Sequence, residues 1–162
     1  TAVAELRRSG CPAVIWMIGE GPALDVLKRQ ADGLGVPLHS TGAIYDETTI
    51  AQYVMAADVV ASPGKVGLTA MHALAYGTPV VTHSDLDLQM PEVEAIIEGK
   101  SGGFFEYGST SGLCVVLTDI LSADTDTSTV RAACRASLEG RFTPDDQTRL
   151  LDDAIEEMLA DG

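Results

Sequence analysis

The chain alternates short apolar runs with segments of helical periodicity, and this alternation restricts its fold more than any other feature. An unbroken apolar run occurs at 13–18, a shorter apolar stretch lies within "DVVAS" at 58–62, and a β-branched run occurs at 79–83. Such runs predict strands that are buried on both faces. The intervening segments carry apolar residues at helical spacing, over 21–35, 46–57 and 68–76. Because parallel neighbours need a crossover, we predict an α/β fold in which helices cover both faces of a parallel sheet.

The same reading extends to the rest of the chain. A short strand is predicted at 36–41, a helix at 90–99 and a last strand at 102–108. Three further helices should begin near Thr110, Ser128 and Thr143, the last with Thr143 as N-cap and Pro144 as its first residue. No internal repeat separates a second domain, so residues 1–162 are predicted to form one domain. The opening "TAVAELRRSG" begins in mid-pattern, and we expect a fragment of a longer protein.

Composition excludes several partners. The formal charge of −14 disfavours nucleic acid and anionic lipid surfaces, which are bound by clustered Lys and Arg. The three cysteines have no paired spacing and no nearby histidine cluster, so neither a metal site nor a disulfide framework is predicted. We expect a reducing, cytoplasmic environment. No apolar run approaches the roughly 18 residues that suggest a membrane span.

Three glycine-containing turns follow predicted strands, where ligands bind in doubly wound sheets. They are "GEGP" at 19–22, "TGAIYD" at 41–46 and "SPGKVG" at 62–67. The first two are weak signals, because glycine also serves as ordinary turn punctuation. The third is stronger, since it combines the flexible Gly64 and Gly67 with the cation Lys65 and a helix start. These features predict an anion site, although no Walker pattern is present.

Polar residues near these turns are further candidates. His72 lies five residues after Gly67 on the same predicted helix, within reach of a ligand at its N-terminus. His83 ends a predicted strand, and Asp85 and Asp87 follow it. A lone histidine is more often structural than catalytic, and the acids could bind a sugar hydroxyl or only solvate a turn. These alternatives stay open at the level of the residues.

Three segments in order carry a resemblance to a known family: "IGEGPALDVLKRQADGLGVPLHSTGAI", "ADVVASPGKVGLTAMHALAYGTPVVT" and "MPEVEAIIEGKSGGFFEYGS". From about Ala13 to Leu121 the chain resembles the C-terminal, Rossmann-like domain of retaining GT-B glycosyltransferases of family four, the glycosyl transferases group 1. The resemblance implies a site for a UDP- or GDP-sugar, with no tightly bound cofactor and no metal. The residues that it implies for this site are Gly19, Gly21, Gly42, Ala43, Ile44, Gly64, Lys65, Gly67, Leu68, Thr69 and His72.

The resemblance also implies which of these residues contact each part of the donor. It places the diphosphate over the glycine-rich helix start, the ribose lower on that helix near His72, and the base near Gly42, Ala43 and Ile44. No catalytic residue is identified, and Lys65, Asp85 and Glu92 are the candidates.

The chain departs from the family pattern in two places. Family members carry two glutamates separated by seven residues, and the matching positions here are Gly64 and His72. A ring nitrogen of His72 can replace a carboxylate as partner of ribose hydroxyls, whereas Gly64 cannot. Family members also open this domain with a strand bearing an Arg and a Lys-Gly, which this sequence lacks. That strand would lie in mid-sheet, so either the remaining strands close ranks, a partner chain fills in, or stability is marginal.

The implied activity is transfer of a sugar, with retention, from a nucleotide-diphosphate sugar to a saccharide or glycolipid acceptor. The acceptor, and any peripheral contact with the inner membrane, would be held by an N-terminal domain outside this chain. The chain alone is then expected to bind the donor without turnover, in the synthesis of a bacterial polysaccharide or glycolipid. Two alternatives remain: a nucleotide-binding module without transfer chemistry, and another GT-B enzyme such as a sugar-nucleotide epimerase.

Overall fold

The computed structural model describes residues 1–160, in which strands and helices alternate as the sequence predicts. The elements are α1 (Ala2–Arg8), β1 (Ile15–Met17), α2 (Leu24–Gly33), β2 (Leu38–Ser40), α3 (Glu47–Ala56), β3 (Val60–Ser62), α4 (Leu68–Tyr76), β4 (Val80–His83), two 3₁₀ turns (Leu86–Leu88 and Pro91–Ala95), β5 (Gly102–Phe105), α5 (Thr110–Ser122), α6 (Thr127–Ala136) and α7 (Pro144–Ala160). The predicted α/β class is confirmed, and α4 has the predicted bounds.

The strands form two parallel ladders. In one, β1 pairs with β2, with Ile15 opposite Leu38. In the other, β4 lies between β3 and β5, with Val80 opposite both Val60 and Gly102. Within the described residues, β1 and β3 therefore each pair along one edge only. In the described residues β1 and β3 do not pair with each other, so the strands have not rearranged into one continuous sheet.

Helices hold the two ladders side by side. On one face, Ala4 of α1 packs with Ala31 of α2 over the first ladder, while Leu6 of α1 packs with Val81 of the second. On the other face, α3 sets Tyr53 against Trp16 of β1, with ring centroids 5.5 Å apart. The carbonyl of Val54, also in α3, accepts a hydrogen bond from Thr78 Oγ1 at 2.7 Å, beside β4. Both faces are thus covered by helices that touch both ladders.

Two strands predicted to be buried on both faces are only half-buried, and those predictions were wrong. Along β1 exposure alternates, with Val14 and Trp16 about half exposed, at 50% and 54%. In β3, Ala61 is exposed between two half-buried neighbours. Among the described strands only β4 is buried at every residue, because it lies between two paired strands while Val80 packs with Leu74 of α4 and Val81 packs with Leu6 of α1. An apolar run shows that a strand can be covered, and the neighbours decide whether it is.

The segment predicted as a helix at 90–99 is another correction. It forms only the 3₁₀ turn Pro91–Ala95, after which Glu98 makes a bridge with Gly102 and Gly99 turns with φ +72°. The Gly99 N–H donates to Gly102 O at 2.9 Å, so the chain is already turning into β5. Glu98 and Gly99 therefore pair with Gly102 and cannot continue a helix.

The predicted N-cap of the last helix is confirmed, and α6 begins with a cap of the same kind. Thr143 Oγ1 accepts from the Asp146 N–H at 3.1 Å, which confirms it as the N-cap before Pro144. Asp126 Oδ2 caps α6 by accepting from the Thr129 N–H at 3.1 Å. These side chains satisfy N–H groups that the first helical turn leaves free, so each helix begins at a defined residue.

Candidate functional site

The strongest predicted turn, 62–67, joins the carboxyl end of β3 to the N-terminus of α4. Gly67 is the N-cap of α4, and no side chain within residues 1–160 caps this helix. The Ala70 N–H donates to Gly67 O at 2.8 Å, so the first-turn N–H groups without an acceptor in the helix are those of Leu68 and Thr69. Leu68, Thr69 and Lys65 are exposed, and Gly64 has open space where a side chain would stand. An exposed helix N-terminus beside a cation is suited to an anion such as phosphate.

The loop that carries these groups is held by a residue that the sequence did not reveal. Gln89 lies between the two 3₁₀ turns, and its Oε1 accepts from the Val66 N–H at 2.8 Å. Its Nε2 donates to Thr82 Oγ1 at 2.8 Å and to His83 O at 2.9 Å. Thr82 in turn donates to Ser62 O at 2.8 Å. A threonine inside the buried run "PVVTH" was the one available signal, because a buried hydroxyl needs partners.

The other two turns lie against each other at the ends of β1 and β2. The Gly19 N–H donates to Gly42 O at 2.8 Å, and both glycines have positive φ, at +127° and +72°. Ala43 is exposed and Ile44 half-buried, while Gly21 lies exposed before α2. The structure thus brings together the predicted base-binding turn and the weaker glycine turn. No hydrogen bond within residues 1–160 joins this pair of turns to the loop 62–67.

The turn 41–46 leads into α3 through a side-chain cap. Asp46 Oδ2 accepts from the Thr49 N–H at 2.8 Å and from the Thr49 hydroxyl at 2.6 Å. These hydrogen bonds, the hydroxyl's first, lower the pKa of the Asp46 carboxyl from its ordinary value. Tyr45, at 92% exposure, extends into solvent rather than forming a wall of a pocket. The turn is therefore fixed at its helical end and open at its tip.

His72 is exposed on α4, where its ring stands edge-on to Tyr76 with centroids 6.4 Å apart. It has the accessibility that a ligand contact needs. His83, in contrast, is only 1% exposed and packs its ring edge-on against Tyr107, with centroids 4.7 Å apart. His83 was a candidate ligand contact because it ends a strand, but its ring is buried and not exposed to a ligand. Within residues 1–160 its Nδ1 has no hydrogen-bond partner.

The acidic candidates lie on the segment that follows β4. Asp85 is half-buried and precedes the first 3₁₀ turn, while Glu92 is half-buried at the start of the second. One carboxylate oxygen of Glu92, Oε2, is buried and has no hydrogen-bond partner in the described part of the chain. Gln89 ties the segment that bears both acidic candidates to the loop 62–67.

The predicted ligand residues are exposed or half-buried, and none of them is fully buried. A cavity of about 540 Å³ lies at the carboxyl ends of β4 and β5, where its walls include Leu86, Phe104, Glu98 and Glu106. None of the residues of the three turns lines it. Across residues 1–160, no three His, Cys, Asp or Glu side chains are grouped so as to hold a metal ion. In the same range no helix has the length and apolar character that crossing a membrane requires.

Comparison with known proteins identifies one family. The sequence model described as "Glycosyl transferases group 1" matches residues 1–123. A GDP-mannose-dependent alpha-(1-6)-phosphatidylinositol dimannoside mannosyltransferase of Mycobacterium tuberculosis is 41% identical over 83 residues, which are 49% of this chain and 21% of that protein. The alpha-monoglucosyldiacylglycerol synthase of Streptococcus pneumoniae is 34% identical over 112 residues, 66% of this chain and 24% of the synthase.

Solved structures share the fold. Anabaena HepE in complex with UDP superposes with a TM-score of 0.71 at 21% identity, covering 99% of this chain and 44% of HepE. The pneumococcal O-GlcNAc transferase GtfA in complex with UDP and GlcNAc superposes with a TM-score of 0.75 at 17% identity, covering 98% of this chain and 32% of GtfA. The chain thus spans less than half the length of these relatives, and the predicted Rossmann-like fold is confirmed.

Proposed function

The chain belongs to the glycosyl transferases group 1 family, and on that premise we propose that it binds the nucleotide-diphosphate sugar of a hexosyltransferase. One observation carries the proposal: the uncapped N-terminus of α4 and the exposed Lys65 lie together at the carboxyl end of β3. The diphosphate would contact the N–H groups of Gly67, Leu68 and Thr69. A UDP- or GDP-sugar is the proposed donor, since one relative is named as GDP-mannose-dependent and HepE was solved with UDP.

The proposed reaction uses these groups to stabilise the leaving group. The bond between the anomeric carbon and the β-phosphate oxygen breaks, and the oxygen of an acceptor hydroxyl bonds to that carbon. The hydroxyl proton passes to the departing phosphate. Helix N–H dipoles and Lys65 are aimed where negative charge develops, which is the arrangement that lowers the barrier to such a transfer. We propose that the acceptor approaches the face that the phosphate leaves, so that configuration is retained.

Three side chains have proposed roles beside the diphosphate. His72 is exposed on α4 beyond the anion-binding turn, and a ring nitrogen would bind a ribose hydroxyl. Glu92, with one buried oxygen lacking a partner, would accept a hydrogen bond from a hydroxyl of the donor sugar. Asp85 is a second candidate for that contact. Gly19 and Gly21 would approach the phosphates, and the base would lie along Gly42, Ala43 and Ile44.

We further propose that this domain is one half of a longer, two-domain enzyme whose other half binds a saccharide or glycolipid acceptor. The pairing pattern supports this proposal. Ile15 and Met17 direct their backbone groups at β2, through bonds from the Ile15 N–H to Pro37 O and from the Thr41 N–H to Met17 O. By the alternation of a parallel ladder, the N–H and C=O of Trp16 point to the opposite edge. Because α1 and α3 contact residues of both ladders, we propose that this edge faces the unpaired edge of β3.

The handedness of crossovers indicates what would fill the space between β1 and β3. The connection from β1 through α2 to β2 is expected to be right-handed, and α1 packs on the same face as α2. A strand leading into α1 with the same hand would lie beside β1, on the side away from β2. The polypeptide preceding Thr1 in a longer protein is thus the proposed occupant. The acidic chain itself is not attracted to anionic lipid, so contact with the membrane, on its cytoplasmic side, would come through the other domain.

Amide hydrogen exchange tests this arrangement. The Trp16 and Ala61 amides should exchange quickly in this chain and at least about tenfold more slowly in the full-length protein, where a central strand would accept from them. The Met17 and Thr82 amides, on strands that are already paired, serve as controls. Equal exchange of Trp16 and Ala61 in the two proteins would contradict the proposed strand.

Calorimetric titration tests the donor assignment. We expect saturable binding of UDP or GDP, and of one sugar conjugate, at low salt, with weak affinity because few cations are present. Failure of the full-length protein to bind any of these ligands would refute the proposal. Incubating the full-length protein with the bound donor and acceptors then separates the alternatives: a glycosylated acceptor indicates transfer, a changed donor sugar indicates epimerisation, and no product indicates a binding module.

A further inference from the structure

The side chain of Gln89, a loop residue, makes three hydrogen bonds to other parts of the chain. Its side-chain amide contacts three partners: the Val66 N–H, Thr82 Oγ1 and His83 O, at 2.8, 2.8 and 2.9 Å. All three partner residues are at most 1% exposed. The amide orientation follows from chemistry, because the Val66 N–H needs an oxygen and the His83 carbonyl needs an N–H. Water cannot readily replace these bonds at buried partners.

These bonds fix the loop 62–67 at both of its ends. Oε1 of Gln89 holds Val66 directly, immediately before the helix N-cap Gly67. Nε2 holds Thr82, whose hydroxyl donates to Ser62 O at 2.8 Å, at the start of the loop. One side chain from outside the loop therefore sets the separation and orientation of its two ends.

The Val66 bond also decides which amides remain for a ligand. Because the Val66 N–H is already donated to Gln89, the anion would be met by Gly67, Leu68 and Thr69 alone. The next residue, Met90, packs beside Gly67, with its Cγ 3.6 Å from where a Cβ of residue 67 would stand. Two consecutive residues, Gln89 and Met90, therefore hold the segment that bears Asp85 and Glu92 against the loop 62–67.

We propose that Gln89 is a positioning residue that aligns the N-terminus of α4 with the diphosphate of the donor. This inference rests on the proposed function, since it assigns the diphosphate to that helix end. Gln89 does not touch the ligand. It acts through Val66 and Thr82, and the effect of losing it should be concentrated on the phosphate that those residues position.

The test compares Gln89→Met with Gln52→Met, a matched change at an exposed position on α3. The probes are UDP and UMP, or GDP and GMP, titrated well below the melting temperature. Gln89→Met should reduce the preference for diphosphate over monophosphate about tenfold, the effect of losing roughly one aligned hydrogen bond. Gln52→Met should leave that preference unchanged. A merely structural role would weaken the binding of both nucleotides equally.

Amide exchange at Val66 gives a readout that does not depend on any nucleotide. In Gln89→Met this amide should exchange at least about tenfold faster, because its acceptor is gone. Thr82→Val retains the Gln89 to Val66 bond, so Val66 should stay protected while the diphosphate preference falls. Thr82→Ser restores the hydroxyl and should restore the preference.

The outcomes separate this inference from the function on which it rests. If the Val66 amide exchanges at an unchanged rate in Gln89→Met, the claim that Gln89 holds the loop 62–67 is refuted. Faster exchange with an unchanged diphosphate preference overturns the positioning role and leaves the donor assignment intact. If the wild-type protein binds no nucleotide, the donor assignment and the positioning of a diphosphate both fail, and the exchange at Val66 still decides whether Gln89 holds the loop.

Discussion

Replacing Gly77 with alanine should destabilise the domain far more than the same change at another left-handed glycine. Gly77 ends α4 with φ +83° and ψ +28°. Its N–H donates to Leu74 O at 3.0 Å, and the Thr78 N–H donates to Ala73 O at 2.8 Å, which together form a Schellman motif. Helix α6 packs directly on this terminus, where Arg131 Nη2 also donates to Met55 O at 2.7 Å.

Two costs apply at Gly77. A side chain in the left-handed region costs about 1–2 kcal/mol. A Cβ would also stand 2.9 Å from Arg131 Cβ, 3.0 Å from its Cγ and 3.2 Å from its Cα. The Cα belongs to the backbone of α6 and cannot rotate away, and forcing such a contact typically costs about 1–3 kcal/mol more. The expected loss of unfolding free energy is therefore about 2–5 kcal/mol.

Gly140 is the matched control. It has nearly the same φ, +84°, but a Cβ there would meet no atom within 4 Å. Gly140→Ala should therefore cost only the conformational term, about 1–2 kcal/mol. Urea unfolding of both variants, followed by circular dichroism, gives the two free energies. Equal losses in the two variants would refute the argument that contact with α6, rather than backbone strain, dominates at Gly77.

Three further predictions concern charge and burial. Lys65→Met should weaken UDP or GDP binding about threefold to tenfold at low salt and less at high salt, while Lys100→Met, before β5, changes nothing; calorimetry decides. Burial raises the pKa of the Cys134 thiol to about 11, so a thiol reagent at neutral pH should label Cys134 only after unfolding; labelling in the folded state would contradict its burial. Hydrogen bonds from the Ser128 hydroxyl and the Thr129 N–H lower the pKa of Asp126 from its ordinary value of 3.8. Its stabilising contribution is therefore present above that ordinary value and is lost as the pH falls through the lowered pKa. The melting temperature of Asp126→Asn should accordingly vary less with pH in this range than that of the wild type.

Local signals in the sequence were sufficient for the elements and for most of their ends. The prediction of α4 at 68–76 was confirmed because Gly67 and Gly77 bracket an uninterrupted helical pattern. The cap at Thr143 was confirmed for a similar reason, since the hydroxyl acts on an N–H three residues away. The helix predicted at 90–99 failed because its end is set by a turn that pairs Gly99 with Gly102, a contact with the following strand.

The candidate site divides in the same way. The loop 62–67, its glycines and its lysine were visible in the sequence, because backbone freedom, charge and a helix start are local properties. Gln89 carried no such signal. Its importance comes from partners 6 to 23 residues away, and nothing in "DLQMPE" distinguishes it from a solvated loop glutamine.

The sequence by itself determined the order of strands and helices, the positions of the glycine turns and the family, because these depend on periodicity and on short motifs. Only the tertiary structure decided that the strands form two ladders, that β1 and β3 each keep one edge unpaired within the described residues, and that the Gln89 amide holds the loop 62–67. The physical reason is that pairing and burial are relations between distant segments. An apolar run in the sequence indicates that a strand must be covered, but only the folded chain determines which segments cover it.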